Sequence, residues 1–280
     1  MTALAREAYR PGDPFRDFCL WDYDPVQPPS DGALRQSAVL TQSLTLVPQG
    51  DRLAAIFGRI RARWGAFNTV WGIKSSGKGL TYELYFYDYN RTARRLGIAD
   101  LVDCLPGLWP RDLAQADDWP WFMMSVEFDP DRLEGGIGSV DLYFEATGGT
   151  ISAGESRTWD GQVLRPKNDY RFYRSAADRR QILTDLEAMP PLPAPLIPGR
   201  YGEEVFVISR KAHGSGAYFS RVSAAETLRF ARETGLHRGV TSALAADLAR
   251  LSSHRFDLGI DYDAGDGRGR LARAAIYGVF

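Results

Sequence analysis

FNTVWGIKSSGKGLTYELYFYDYN, residues 67–90, decides the fold, because it supports two incompatible readings. Gly72, Gly77 and Lys78 stand at the spacing of a G-x-x-x-x-G-K loop, which cradles phosphate with backbone amides. Such a loop must run into a helix N-terminus, and its lysine is followed by Ser or Thr. Here Gly79 follows Lys78, and the next residues are the β-rich run LTYELYFY. The stretch therefore reads as a hairpin whose glycines make a tight turn. Its second strand divides into Tyr82, Leu84 and Phe86 on one face and Glu83, Tyr85 and Tyr87 on the other.

The same division recurs downstream. WFMMSVEFDP and GIGSVDLYFEA flank the turn DRLEGG. There Met124, Val126 and Phe128 oppose Ser125 and Glu127, and Val140, Leu142 and Phe144 oppose Asp141, Tyr143 and Glu145. Glu204–Lys211 and Gly216–Val222 turn at AHGSG, and RFDLGIDYD and RLARAAIYGVF turn at AGDGRG. One apolar and one polar-aromatic face is the antiparallel signature. Residues 150–173 read as an irregular excursion or a further short hairpin. Upstream, Ser37–Val47 alternates loosely and reads as a strand, and FCLWDYDP in the Pro/Asp-rich residues 1–32 reads as another, ended by Pro28 and Pro29.

Helical periods lie between the hairpins. Leu53, Ile56, Phe57, Ile60 and Trp64 share one face of Asp51–Trp64. Asn90–Asp118 mixes helix and loop, and Ala176–Ala188 carries Ile182, Leu183 and Leu186 on one side. Ser223 and Glu226 form a capping box ahead of one helix, and a second carries Val240, Leu244, Leu248 and Leu251. The proline-rich PPLPAPLIPG is an extended connector inside one domain, since the hairpin pattern resumes unchanged beyond it. An open sheet covered on one face leaves the polar-aromatic face wet and two edges bare, whereas closure turns that face into a lumen. The expected fold is α+β: a closed antiparallel β-barrel of about ten strands ringed by helices, built from repeated helix–hairpin units, as a single domain over residues 1–280.

Bulk properties narrow the function. A formal net charge of −1 argues against a nucleic-acid binder with a general basic surface. No apolar run approaches ~18 residues, so no membrane span is expected, and the N-terminus lacks an apolar signal region. Cys19 and Cys104 offer no disulfide framework and suit reduced thiols in a cytoplasmic protein. His213, His237 and His254 lack ligand spacing with any cysteine, so no protein-held metal is expected. DYDAGDG has Ala272 where a calcium loop needs its twelfth-position Glu, which leaves a hairpin turn. Asp117–Asp118 is not a DDxxD motif.

The order of hairpins and helices resembles the aromatic prenyltransferase barrel, and within it the cyanobactin-type peptide prenyltransferases. The resemblance rests on four passages: the opening hairpin, FMMSVEFDP with GIGSVDLYFEA, EVFVISRKAHGSGAYFSRV with the helix after it, and the terminal RLARAAIYGVF. It runs from about residue 67 to the end. The family's first hairpin would fall in residues 16–48, with Asp22 or Asp24 as its acidic residue.

The resemblance implies transfer of a dimethylallyl group from dimethylallyl diphosphate to a side chain of a linear or cyclic ribosomal peptide, usually with Mg2+. A leaving diphosphate needs cations and phenol donors, an allylic cation needs aromatic faces and dryness, and the acceptor needs a base. On the lumen faces, Lys74, Lys211, Arg221 and Arg273 are the candidates for the diphosphate. Tyr85, Tyr143, Tyr218 and Tyr277 are the candidate hydroxyl donors and shields, and Glu127, Asp141 and Glu83 the candidate bases. Tyr218 and Arg221 are out of phase, so a bulge must lie between them or one is misassigned. An acidic lumen also suits a cationic acceptor such as an arginine side chain. The alternatives are a prenyltransferase of small aromatic molecules and a non-catalytic barrel for a lipophilic ligand. A carrier of neutral lipid has no need of inward-facing cations.

Overall fold

The structure, a computed structural model, describes residues 7–10, 12–13, 31–87, 96–145, 153–212 and 214–280. The expected strand FCLWDYDP, Cys19, Asp22, Asp24 and His213 lie outside the described residues. Ten strands form a closed barrel: β1 Thr69–Ser76, β2 Gly79–Tyr87, β3 Met123–Phe128, β4 Val140–Glu145, β5 Ala153–Trp159, β6 Leu164–Arg174, β7 Val205–Lys211, β8 Gly214–Ser223, β9 Arg255–Asp263 and β10 Arg270–Val279. Each strand pairs antiparallel with its neighbour in sequence, and β10 closes on β1. Because β1 and β10 complete the circle, no strand is required from residues 16–48. Where the sequence left an irregular excursion or a short hairpin open over residues 150–173, the described part, from Ala153, is the hairpin β5–β6.

The opening hairpin is as its alternation demands. Ser76 pairs with Gly79, leaving Gly77 and Lys78 as a two-residue loop, and Gly79 takes a φ of +118°. Gly72 is different: it lies within β1, not in the turn. The phosphate-loop reading is excluded, since the chain after Lys78 is β2.

The barrel is apolar outside. Tyr82, Leu84, Phe86, Met124, Val126 and Phe128 point outward into a core shared with the helices, which among the described residues are α1 Ser37–Leu44, α2 Gly50–Trp64, α3 Ile98–Cys104, α4 Arg179–Glu187, α5 Ala224–Glu233 and α6 Arg238–Ala246. The core therefore lies between barrel and helices. From α2, Phe57 meets Tyr82, Phe128 and Phe280 edge to face at 6.1, 5.1 and 6.2 Å. Full burial of such a ring contributes about 2–3 kcal/mol. Ser223 Oγ accepts from Glu226 N and starts α5, and Asp117 caps α3 through the amides of Ile98 and Ala99.

Ser37–Val47 corrects the sequence reading: Ser37–Leu44 is α1. Six of its residues, among them the polar Ser37 and Ser43, are buried. A helix buried almost all round shows no clean apolar stripe, so its short run mimics a strand. Ser43 O accepts from Tyr82 OH at 2.9 Å, tying α1 to β2. α4 begins at Arg179, three residues later than its apolar spacing suggests. The proline-rich connector buries Leu196 in the core. Among the described residues no helix is long and apolar enough to cross a membrane.

Candidate active site

Five tyrosines, one from each even-numbered strand, form a closed ring across the lumen. They are Tyr85, Tyr143, Tyr170, Tyr218 and Tyr277. Successive ring centroids lie 6.1, 6.0, 6.4 and 6.4 Å apart, and 5.8 Å separates Tyr277 from Tyr85. Alternation puts each side chain inward, and the odd-numbered strands make room with small residues. Gly72 and Gly259 pair with Tyr277 and Tyr218, Ser125 with Tyr85, Ser156 with Tyr143, and Gly154 and Ser209 with Tyr170. Cβ atoms at Gly72 or Gly259 would fall 2.7 to 2.9 Å from the tyrosine rings. Glycine here permits close approach rather than a turn.

The ring divides the lumen into two chambers. Above it, Lys74, Lys167, Lys211 and Arg273 stand with Glu83, Asp261 and Asn168 in a polar chamber floored by the five tyrosines. Below it, Val70, Phe122, Met123, Phe172, Val205 and Val207 line an apolar chamber of about 120 Å3, with Ser220 and Asp257 on its wall.

Most of the phenols point up. Tyr85 OH donates to Glu83 at 2.6 Å, Tyr143 OH and Ser125 Oγ are 3.3 Å apart, Tyr170 OH accepts from Asn168 at 2.8 Å, and Lys211 Nζ donates to Tyr218 OH at 3.3 Å. Burial is the main force raising all five phenol pKa values, Tyr170 to about 12 and the others well above the ordinary phenol value. They are protonated donors at neutral pH.

Each cation above the ring engages a carboxylate. Lys74 contacts Glu83 and donates to Glu127 at 2.8 Å. Lys167 pairs with Asp141, which also accepts from Thr158 Oγ1 at 2.6 Å. Lys211 and Arg273 converge on Asp261, the guanidinium through Nε at 2.9 Å and Nη2 at 2.6 Å. Burial opposes ionisation of Glu83, but Lys74, then Lys167, outweigh it and bring its pKa to about 2. Burial likewise opposes the charge on Lys74, and Glu83 and Glu127 hold it well above the ordinary lysine value.

Of the residues singled out in the sequence, Lys74, Lys211 and Arg273 and all four tyrosines come together. Arg221 does not. It sits within the bulge between Phe219 and Val222, with a φ of +63°, at the opposite end of β8 from the cations. There its amide donates to Asp257 at 2.8 Å and its guanidinium reaches Glu204 at 3.2 Å. The bulge resolves its phase conflict with Tyr218 by sending the two to different levels. Glu83, Glu127 and Asp141 lie on the cation side of the ring, Glu127 at its exposed rim, and each is paired with a lysine. The lumen is thus charge-paired rather than acidic.

The structure adds Tyr170, Lys167, Asp261 and Asp257 to the candidates. Asp257 and Asp261 share the inward phase of β9 with Gly259, a signal available in RFDLGIDYD. Lys167 lies where the β5–β6 register slips between Ser156 and Arg157, so alternation could not assign it. Among the described residues no three His, Cys, Asp or Glu side chains are grouped to hold a metal ion. The carboxylates above the ring already serve ammonium and guanidinium groups, and they do not fit a resident Mg2+.

No family model matches the sequence, and no curated protein matches it either. Among solved structures, the crystal structure of NotF prenyltransferase aligns over 75% of this chain and 80% of its own, at 12% identity and a TM-score of 0.46.

Proposed function

We propose that the protein is a prenyltransferase that holds an isoprenyl diphosphate with its anionic end among Lys74, Lys167, Lys211 and Arg273 and its allylic carbon in the tyrosine ring. The observation that carries this reading is the closed ring of five tyrosines between a cationic and an apolar chamber. A pentagon with these sides has its centre about 5 Å from every centroid, inside the ~6 Å at which an aromatic face attracts a cation. A carrier of a neutral lipid has no use for four inward-facing cations.

The steps follow from that placement. The bond between C1 and the diphosphate oxygen breaks, and its electron pair leaves with the diphosphate. Ammonium, guanidinium and phenol donors stabilise the charge as it develops. The tyrosine faces shield the allylic cation from water. A nucleophilic atom of the acceptor, approaching from the apolar chamber, bonds to C1 and releases its proton. Glu155, which also borders the chamber, pairs with Arg157, whereas Asp257 is the carboxylate at an inward position of β9 on that side, oriented by Ser220 Oγ at 2.6 Å and the Arg221 amide. We assign it the proton-accepting role that the sequence offered to Glu83, Glu127 and Asp141. Mg2+ enters this reading only as a counter-ion accompanying the diphosphate.

The room below the ring, about 120 Å3, is smaller than the roughly 150 Å3 apolar cavity that holds benzene, so it suits the short dimethylallyl tail rather than a ten-carbon chain. A peptide side chain is the acceptor favoured by the four passages that carry the sequence resemblance. The test is mass spectrometry of linear and cyclic peptides containing Tyr, Trp or Arg, and of small phenols and indoles, incubated with dimethylallyl or geranyl diphosphate with and without Mg2+. A gain of one five-carbon unit on a peptide is expected. Transfer only to the small aromatics replaces the peptide acceptor, and no transfer together with no diphosphate binding overturns the reading.

A further inference from the structure

Asp261 differs from Glu83 and Asp141 above the tyrosine ring; Glu127, at the exposed rim, also meets two cations, Lys74 at 2.8 Å and Arg273 at 3.8 Å. Glu83 is also held by Ser125 Oγ at 2.7 Å and Tyr85 OH at 2.6 Å, and Asp141 by Thr158. Those neutral donors keep the two carboxylates in place whatever their lysines do. The described partners of Asp261 are Lys211 on one oxygen and Arg273 on the other, both cations. The pairing is built in. A register slip between Leu271 and Arg273 sets Arg273 directly opposite Asp261 across β9–β10, and without it the small Ala272 would take that position.

An Arg fork and an ammonium gathered on two oxygens is also the donor set that recognises a phosphoryl group. We infer that Asp261 is an internal competitor of the donor's diphosphate for Lys211 and Arg273, so that it sets donor affinity and promotes release of the diphosphate product. This rests on the prenyl-transfer reading. Asp261 keeps both side chains extended into the chamber, where a diphosphate can take them over. After transfer, reforming the two ion pairs lowers the barrier to losing the product. Lys211 and Arg273 hold the Asp261 pKa down against burial, so the carboxylate remains an anion at neutral pH.

The competing reading is that Asp261 merely positions the two cations, and it predicts the opposite sign. Removing a competitor tightens diphosphate binding, and removing a positioning group weakens it. Calorimetric titration of the full chain with inorganic diphosphate distinguishes them, comparing the native protein with Asp261→Asn. The expected result is a gain on the order of ten-fold or more in affinity, from removing one negative charge beside the anion. Turnover should fall as product release slows, with a burst in the first cycle. Asp261→Ala provides a second variant should the first not fold, and diphosphate-dependent elevation of the thermal midpoint provides a second readout. Equal or weaker binding in a folded variant overturns the inference and leaves the donor site intact. Failure of both native and variant proteins to bind diphosphate overturns the donor-site reading and this inference together.

Discussion

Gly72 on β1 lies directly opposite Tyr277 on β10, and a methyl group at position 72 would stand 2.7 Å from two carbons of that ring. Real Cβ atoms essentially never approach so closely. The ring would have to swing, and its neighbours Tyr85 and Tyr218 with it. Gly72→Ala should cost about 1–3 kcal/mol, as overpacking does, and Gly259→Ala, at 2.9 Å from Tyr218, a similar amount. Prenyl transfer should drop further than the stability loss explains, because the pentagon opens. Thermal melts alongside transfer rates check this; a Gly72→Ala protein with native melting and native turnover would remove the ring from the argument.

The Lys74–Glu83 pair is buried, with side chains 9% and 3% exposed. Removing one partner from such a pair leaves an uncompensated charge, at about 3–5 kcal/mol. Glu83→Gln should therefore destabilise the protein strongly. It should also change the acid limb of stability. A carboxylate depressed on folding contributes stability that is complete above its unfolded value, roughly 4.3, and lost as pH falls through its folded value, about 2 here. That interval represents about 3 kcal/mol in the native protein. Urea melts between pH 5 and pH 2 should show a steep decline in the native protein and a shallower one in the variant. Parallel slopes would count against the depressed Glu83.

Much of this site was legible in the alternation. With residues 79–87 as a strand, Glu83 and Tyr85 share a face, and the same alternation reaches Tyr143, Tyr218 and Tyr277. Tyr170 was lost because residues 150–173 were not fixed as strands, and a side chain without a strand has no phase. Register slips hid more. The slips beside Lys167 and around Arg221 each insert an unpaired residue, which reverses the face of everything beyond it, whereas the slip before Arg273 leaves it in phase with Tyr277. The seats at Gly72 and Gly259 were invisible for another reason: a glycine in sequence suggests a turn, and only the opposing ring shows that it answers a clash.

Tyr218 separates the two duties assigned to the ring. Its hydroxyl accepts from Lys211 at 3.3 Å, and its face stands toward Tyr170 and Tyr277. Tyr218→Phe keeps the face and loses the hydroxyl, so turnover should fall less than ten-fold. Tyr218→Leu loses the face as well. A desolvated cation–π contact is worth about 2 kcal/mol, or roughly thirty-fold in rate. Turnover at saturating donor measures both. If the phenylalanine variant is as impaired as the leucine variant, the hydroxyl is what matters, and cation shielding by the ring face is not supported.

Asp257 carries the last expectation because it lies on the other side of the ring from every cation assigned to the donor. Ser220 Oγ and the Arg221 amide both donate to its Oδ1. The bulge that lifts Arg221 out of phase is what brings two donors to one oxygen. Fixing a carboxylate in this way orients it toward the chamber that would hold an acceptor. Asp257→Asn preserves size and loses basicity, so turnover should fall by about 10²–10⁴ while the affinity for inorganic diphosphate stays within a factor of two or so of the native value. A loss of diphosphate affinity instead would mean that Asp257 supports the barrel as a whole, and native turnover in the variant would exclude it as the base. The split between turnover and diphosphate affinity therefore separates the two chambers functionally, as the tyrosine ring separates them in space.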